Sequence, residues 1–350
     1  MTQIRVLNQA MVKEVLSIKE TIQTVEEIYR GKARETSTLW PMIFYEFEPG
    51  KADMDIKSGY MKELGIYGLK LVSWYGSNPQ QQLPALFGTT LLFDDQTGAP
   101  LGIVDAEYIT GMRTGAAAAI GSKYLARQDS ETLLMVGTGH QALFQLLSHL
   151  LVIPNLKQLL IYDPLAKENA DSFVAGCKEQ LLHLLDQPKI KEDQVELREK
   201  IAQLQIHAVE EIANAVGAAD IIVTATPSKQ PMIQAEWVKP GTHFSCVGAD
   251  MSGKQEIDGA IFQQARLFVD DRKQAIAVGE TEQPIKQGLI DEAAIQGEIG
   301  EVILGWVAGR ISEADITIYD TTGIALQDLA VTKQVLDTAE KNEVGQVVDL

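Results

Sequence analysis

Apolar residues recur every three or four positions in some stretches of this chain and bunch into short runs bounded by glycine, proline and asparagine in others. Between Met11 and Arg30, the residues Val12, Val15, Leu16, Ile22, Val25 and Ile28 keep a helical period, which predicts one helix or a helix pair. The pattern then changes. From residue 39 to 110, Met42 to Phe47, Gly68 to Trp74, Gly88 to Phe93 and Gly102 to Asp105 are short, rich in β-formers and punctuated by turn residues, so they predict a sheet. An Ala-rich helix is expected from about Thr110 to Ala126, followed by a junction at Gln128-Asp129-Ser130.

Beyond the junction, strands alternate with helices. Apolar runs lead up to Gly137 and to Asp163, and further strands are expected at Leu204 to Ala208, Asp220 to Thr226, Thr242 to Gly248 and Arg266 to Asp270. Such alternation predicts an α/β fold, a Rossmann-type doubly wound parallel sheet covered on both faces. We therefore expect a Rossmann nucleotide-binding domain over 129–313. A discontinuous α+β domain, over 1–128 and 314–350, is expected to hold the substrate. The strand-like Ile316 to Tyr319 and the helical Ile324 to Leu336 fall in its second piece.

Residues 133–163 point most directly to a ligand. An apolar run meets Gly137-Thr138-Gly139-His140-Gln141-Ala142, an amphipathic stretch follows, and a second apolar run ends in Asp163. Gly137 suits a tight turn off the strand, Gly139 allows close approach of a pyrophosphate, and Ala142 lets the new helix pack on its strand. The helix N-terminus offers unpaired N–H groups to phosphates. A carboxylate at Asp163 can accept from both ribose hydroxyls and would repel a 2′-phosphate, so NAD is favoured over NADP.

Composition narrows the classes. At 350 residues the chain has room for two cores, and 45% hydrophobic with 22% charged residues is ordinary for a globular protein. The net charge of −18 argues against nucleic acid or an anionic membrane as a partner. Cys177 and Cys246 form no CxxC, and His140, His149, His183, His207 and His243 fit no metal spacing, so no metal site is expected. The N-terminus lacks a secretory pattern, and the most apolar stretch, Ala142 to Ile161, is broken by His149, Pro154, Asn155 and Lys157. A cytoplasmic enzyme is the expectation.

Three charged residues sit in apolar or glycine-rich settings. Lys70, flanked by Leu69 and Leu71 in a strand, points either into a cleft or to solvent. Arg113, among Gly111, Thr114 and Gly115, has the fork geometry that holds a carboxylate by two parallel hydrogen bonds. Asp250 ends the predicted strand Phe244 to Asp250, where ligands of open α/β sheets gather, and a carboxylate there can exchange a proton with a substrate amine.

RTGAAAAIGSKYLAR, VGTGHQA, TATPS at 224–228, VGADMSGKQEID at 247–258 and YDTTGIALQDLA at 319–330 occur in that order, and together they resemble the ornithine cyclodeaminase and mu-crystallin family. The resemblance runs from about residue 65 to 335. It implies an NAD(P)-dependent enzyme or binding protein for an amino or imino acid, with Asp163 favouring NAD, and a homodimer joined through the discontinuous first domain. By motif it assigns Lys70 and Arg113 to the substrate carboxylate and Asp250 to acid/base catalysis. Gly137, Gly139, His140, Gln141 and Asp163 become the cofactor clamp, with Thr114, Thr224, Lys254 and Thr321 as further cofactor contacts.

The chemistry so implied is hydride transfer at the α-carbon of an L-amino acid through an imine. Ornithine to proline plus ammonia leads, with an L-amino-acid dehydrogenase or cyclic ketimine reductase as alternatives. A non-catalytic mu-crystallin-like binding protein is the alternative of another class. One departure bears on the substrate: the region 39–60 has neither the arginine nor the Met-Pro pair carried there by many family members, and Lys57 is the candidate replacement. Asp53 or Asp55 would be the acid near a side-chain amine.

Overall fold

The structure is a computed structural model describing residues 3–188 and 194–350. In chain order its strands are β1 (Gln3–Leu7), β2 (Ser37–Leu39), β3 (Ile43–Glu48), β4 (Ala52–Met61), β5 (Ile66–Tyr75), β6 (Leu86–Asp94), β7 (Pro100–Asp105) and β8 (Thr132–Val136). Then come β9 (Gln158–Tyr162), β10 (Gln205–Ala208), β11 (Ile221–Thr224), β12 (His243–Cys246), β13 (Ala265–Val269), β14 (Ile295–Glu298), β15 (Ile316–Asp320) and β16 (Gln346–Asp349). They form two sheets in two compact units. One unit combines residues 3–113 with 324–350, and the other comprises 114–186 and 194–323.

The second unit holds a parallel sheet in the order β10-β9-β8-β11-β12-β15-β13-β14. The chain enters at β8, winds outward through β9 and β10, and returns beside β8 as β11. That reversal is a doubly wound sheet's switch point, where the carboxyl ends of adjacent strands leave a crevice for a ligand. Its middle strands are covered on both faces: β11 and β12 are buried at every position, the polar Thr224, His243 and Ser245 included.

Here the domain limits differ from expectation. Ile316–Asp320 was assigned to the first domain, but β15 pairs in parallel with both β12 and β13 and is a central strand of the nucleotide-binding sheet. The return point is Gly323/Ile324 rather than 313/314, and the first crossing is Arg113/Thr114 rather than 128/129. The second crossing's physical reason is the burial of Thr317, Ile318, Tyr319 and Asp320, which only a covered strand provides.

The first unit is built on the order β16-β1-β7-β6-β5-β4-β2, with β3 hairpinned onto β4. The region 39–110 is sheet as expected, and β1 and β16 add the two chain ends to it. The expected N-terminal helix is a pair, Gln9–Val15 and Ile18–Ala33, because Asn8 and Ser17 each accept a backbone N–H of a first turn and so begin a new helix. The helix Ala325–Lys341 lies on the sheet, its Leu326 and Leu329 against Gly59 and Gly68. Gly68 has no room for a side chain: a Cβ there would stand 2.4 Å from the Leu91 carbonyl oxygen and 2.7 Å from Leu92 Cδ2.

Candidate active site

Register fixes where Lys70 points. It sits opposite Lys57 on β4 and Thr90 on β6, and its side chain is buried on the helix-covered side. Its ammonium donates to Asp328 Oδ1 at 3.0 Å and to Thr110 Oγ1 at 3.2 Å. Arg113 Nε donates to the same Asp328 oxygen at 3.1 Å, and its Nη1 reaches Gln327 Oε1 at 3.2 Å. Gln327 in turn donates to the Tyr29 hydroxyl at 2.6 Å.

Two buried cations thus share one buried carboxylate. Among the described residues, Asp328 Oδ2 has no hydrogen-bond partner. Burial pushes Lys70 down to about 8; Asp328 opposes the shift, while Arg113 and Lys57 add to it. Burial would raise the Asp328 carboxyl, but the charges of Arg113 and Lys70 outweigh it and hold it below the ordinary range. Counting Lys70, Arg113 and Asp328 alone, the cluster carries an excess positive charge. Such an excess attracts a carboxylate.

In the second unit, Gly137 leaves β8 with φ +105°, a conformation that favours glycine, and its N–H donates to the Tyr162 carbonyl at 2.8 Å. A Cβ would also stand 2.8 Å from the Ala225 carbonyl oxygen, so the turn is packed against the end of β11. Gly139 and His140 are exposed, and the helix Gln141–Val152 starts immediately after them. Gln141 Oε1 is buried without a partner among the described residues. Asp163 follows β9. Its Oδ2 accepts from Thr138 Oγ1 at 2.6 Å, and its Oδ1 accepts from the N–H groups of Leu165 and Ala166 and from Asn169. Burial favours its neutral form, yet those four donors outweigh burial and keep the carboxyl below the ordinary range. An ionised acid beside a glycine turn and a helix N-terminus fits a dinucleotide.

Asp250 stands on a loop rather than at a strand end, because β12 stops at Cys246. Its exposed carboxylate pairs with Lys254 Nζ at 2.5 Å. Thr224 closes β11 and is fully buried, and Thr114 is half-buried. Thr321 is buried, and its hydroxyl donates to Asp270 Oδ2 at 3.1 Å, so that hydroxyl serves to tie β15's end to β13's. Of the residues the sequence singles out, the structure brings Lys70 together with Arg113 on Asp328, the glycine turn with Asp163 through Thr138, and Asp250 with Lys254. Among the described residues no group of three or more His, Cys, Asp or Glu side chains can hold a metal, and no helix is long and apolar enough to cross a membrane.

The residue pattern of the ornithine cyclodeaminase/mu-crystallin family matches this chain over residues 3–184 and 182–343. The chain belongs to that family. An alanine dehydrogenase of Archaeoglobus fulgidus is 35% identical over 98% of this chain and 97% of its own length. The solved archaeal alanine dehydrogenase dimer with bound NAD superposes with a TM-score of 0.88, at 34% identity and 99% coverage of each chain. The Δ1-pyrroline-2-carboxylate reductase of Thermococcus litoralis, solved with NADH and L-proline, gives 0.87 at 28% identity, covering 98% of this chain and 99% of that one.

In this member of the ornithine cyclodeaminase/mu-crystallin family, sequence reasoning missed Asp328 and Gln327. Both lie inside the motif YDTTGIALQDLA. A signal was present: Asp328 falls on the stripe Ala325, Leu329, Thr332, Leu336, and an acid on an apolar helix face demands a buried partner.

Proposed function

We propose that this chain is an NAD-dependent oxidoreductase acting at the α-carbon of a small L-amino acid, or in reverse on the corresponding imine. The observation that carries the reading is the buried Lys70–Asp328–Arg113 cluster, with its excess positive charge, in a family whose similar members include an alanine dehydrogenase and a Δ1-pyrroline-2-carboxylate reductase. Arg113 and Lys70 hold the substrate carboxylate, which fixes the α-carbon; the gain is chiefly one of orientation. Asp250 takes a proton from the amine in the oxidative direction and returns it to the nitrogen in the reductive one. Bound NAD or NADH supplies the hydride exchange. Gly137, Gly139, His140, Gln141 and Asp163 hold it, with Thr114, Thr224 and Lys254 as further contacts, and Lys57 supplements the cations around the carboxylate.

A second reading, cyclodeamination of ornithine to proline and ammonia, is favoured by Asp53 and Asp55, which follow the alternation of Lys57 along β4 toward the partners Val72 and Trp74 of Lys70's strand. Burial, with the charge of Glu46, raises Asp53, so it is suited to sharing a proton with a side-chain amine. We also propose a homodimer through the first unit. Ile43, Phe44, Tyr45 and Phe47 on β3 are all about half exposed, and this apolar strand needs a cover.

The test is a panel. L-alanine, L-proline, L-lysine and L-ornithine are each incubated with NAD, and Δ1-pyrroline-2-carboxylate, or pyruvate with ammonia, with NADH. NADH absorbance and the products are followed. Net cofactor conversion with alanine or an imine supports the lead reading. Ornithine yielding proline and ammonia without net NADH moves the assignment to the second, and no turnover in either direction refutes both.

A further inference from the structure

The loop that carries Asp250 is pinned by buried carboxylates for which the proposed reaction has no use. Glu256 Oε1 accepts from the Thr226 N–H and hydroxyl, each at 2.7 Å, and its Oε2 accepts the Gly248 N–H at 3.0 Å. One side chain therefore ties the loop after β11 to the loop after β12, two residues before Asp250. On the far side, Glu282 accepts the Ser252 hydroxyl through Oε1 and the Gly253 N–H through Oε2 at 2.7 Å. Glu280 holds the segment's exit: its Oε1 takes the N–H groups of Glu256 and Ile257 at 2.7 and 2.8 Å.

Glu256, Glu280 and Glu282 are all fully buried. Burying three carboxyl groups in one region is costly, and most of the donors that offset it come from the 226–257 segment, although Glu280 Oε2 has none among the described residues and burial pushes Glu256 and Glu280 up toward their neutral forms. Glu282 is additionally paired with Lys286 and accepts from Gln283. Burial favours its neutral form, but the hydrogen bonds of Lys286, Ser252 and Gly253 outweigh it and keep the group ionised. A charged acceptor binds an N–H and a hydroxyl more strongly than a neutral one. Asp250 and Met251, between the clamps, are exposed, so the loop has little packing of its own to hold it.

We infer that Glu282, with Glu256 on the opposite side, is a positioning residue that fixes the Asp250 carboxylate by bracketing its loop between Gly248 and Gly253. The inference rests on the reading in which Asp250 exchanges the substrate's proton. A reacting group displaced by about an ångström loses on the order of a hundredfold in rate while ground-state binding is retained.

Glu282→Gln removes the charge and one acceptor, leaving the clamp half made. Two measurements on the full chain test it. Without substrate, hydrogen exchange over residues 248–254 should quicken in Glu282→Gln while the central strands β11 and β12 keep their protection; unchanged exchange in the loop overturns the bracket. In turnover, with L-alanine and NAD or Δ1-pyrroline-2-carboxylate and NADH, kcat should fall at least about tenfold while KM and NAD affinity stay within about twofold. Ser252→Ala, an exposed position that leaves the fold intact, should show the same split in smaller measure. Should Glu282→Gln not fold, Ser252→Ala decides: no change in its loop exchange and kcat overturns the bracket. Asp250→Asn separates the two claims. Full activity in Asp250→Asn sinks the acid/base reading itself, whereas loss of activity there with wild-type kcat in both Glu282→Gln and Ser252→Ala sinks only the positioning role.

Discussion

Asp328 sets the properties of the two cations it joins. Removing its charge by Asp328→Asn leaves Lys70 and Arg113 buried without their shared counter-ion, at a cost of about 3–5 kcal/mol. A denaturant midpoint unchanged within error would show that the cations are compensated elsewhere. Lys70 also predicts a pH dependence. Its ammonium binds a carboxylate only when protonated, and burial brings its pKa down to about 8, so kcat/KM should fall as pH rises through that value. Bound substrate adds a second anion beside Lys70 and stabilises the ammonium, so kcat should stay flat over the same range. Lys70→Arg, permanently protonated, should abolish the alkaline limb. If the limb persists in that variant, another group is responsible.

Individual elements differed in how plainly the sequence announced them. The nucleotide-binding strands were legible because burial on two faces demands unbroken apolar runs such as Leu133 to Val136. The glycine turn was legible because only glycine tolerates φ +105° at residue 137. Ile316–Asp320 was misplaced because strand order in a sheet is a long-range property: nothing local says that β15 inserts between β12 and β13. Lys70 and Arg113 stood out as charges in apolar surroundings. Asp328 carries a local signal in its place on the buried stripe of its helix, but that Lys70 and Arg113 are its partners is decided by tertiary packing across more than 200 residues of chain. Packing of that helix on the sheet also yields a prediction. Gly68→Val drives a side chain into Leu91, Leu92 and Leu329, and should cost about 2 kcal/mol or more. A thermal midpoint equal to wild type would mean that the helix can lift off the sheet freely.

For the molecule as a whole, the proposed dimer rests on the exposed apolar strand β3. Tyr45 and Phe47 pack edge to face, with ring centroids 5.1 Å apart, and Phe47 stacks on Tyr75, which organises an apolar patch. Replacing Tyr45 and Phe47 by glutamate should convert a dimer to a monomer in light scattering, with the second unit's helix and strand content intact. A wild-type chain that is already monomeric at micromolar concentration would remove the dimer from the proposal.

The first unit is assembled from both ends of the chain. The strands β8 to β15 of the second unit all precede Ala325 in the chain, so they are made before the helix Ala325–Lys341. Lys70 and Arg113 leave the ribosome long before Asp328, and they cannot be buried in their final setting until it arrives. Until the segment 325–349 is made, the helix-receiving face of the first unit's sheet is open and β1 lacks its β16 partner. A chain stopped short of Asp328 would leave that face uncovered and Lys70 and Arg113 without the carboxylate they share.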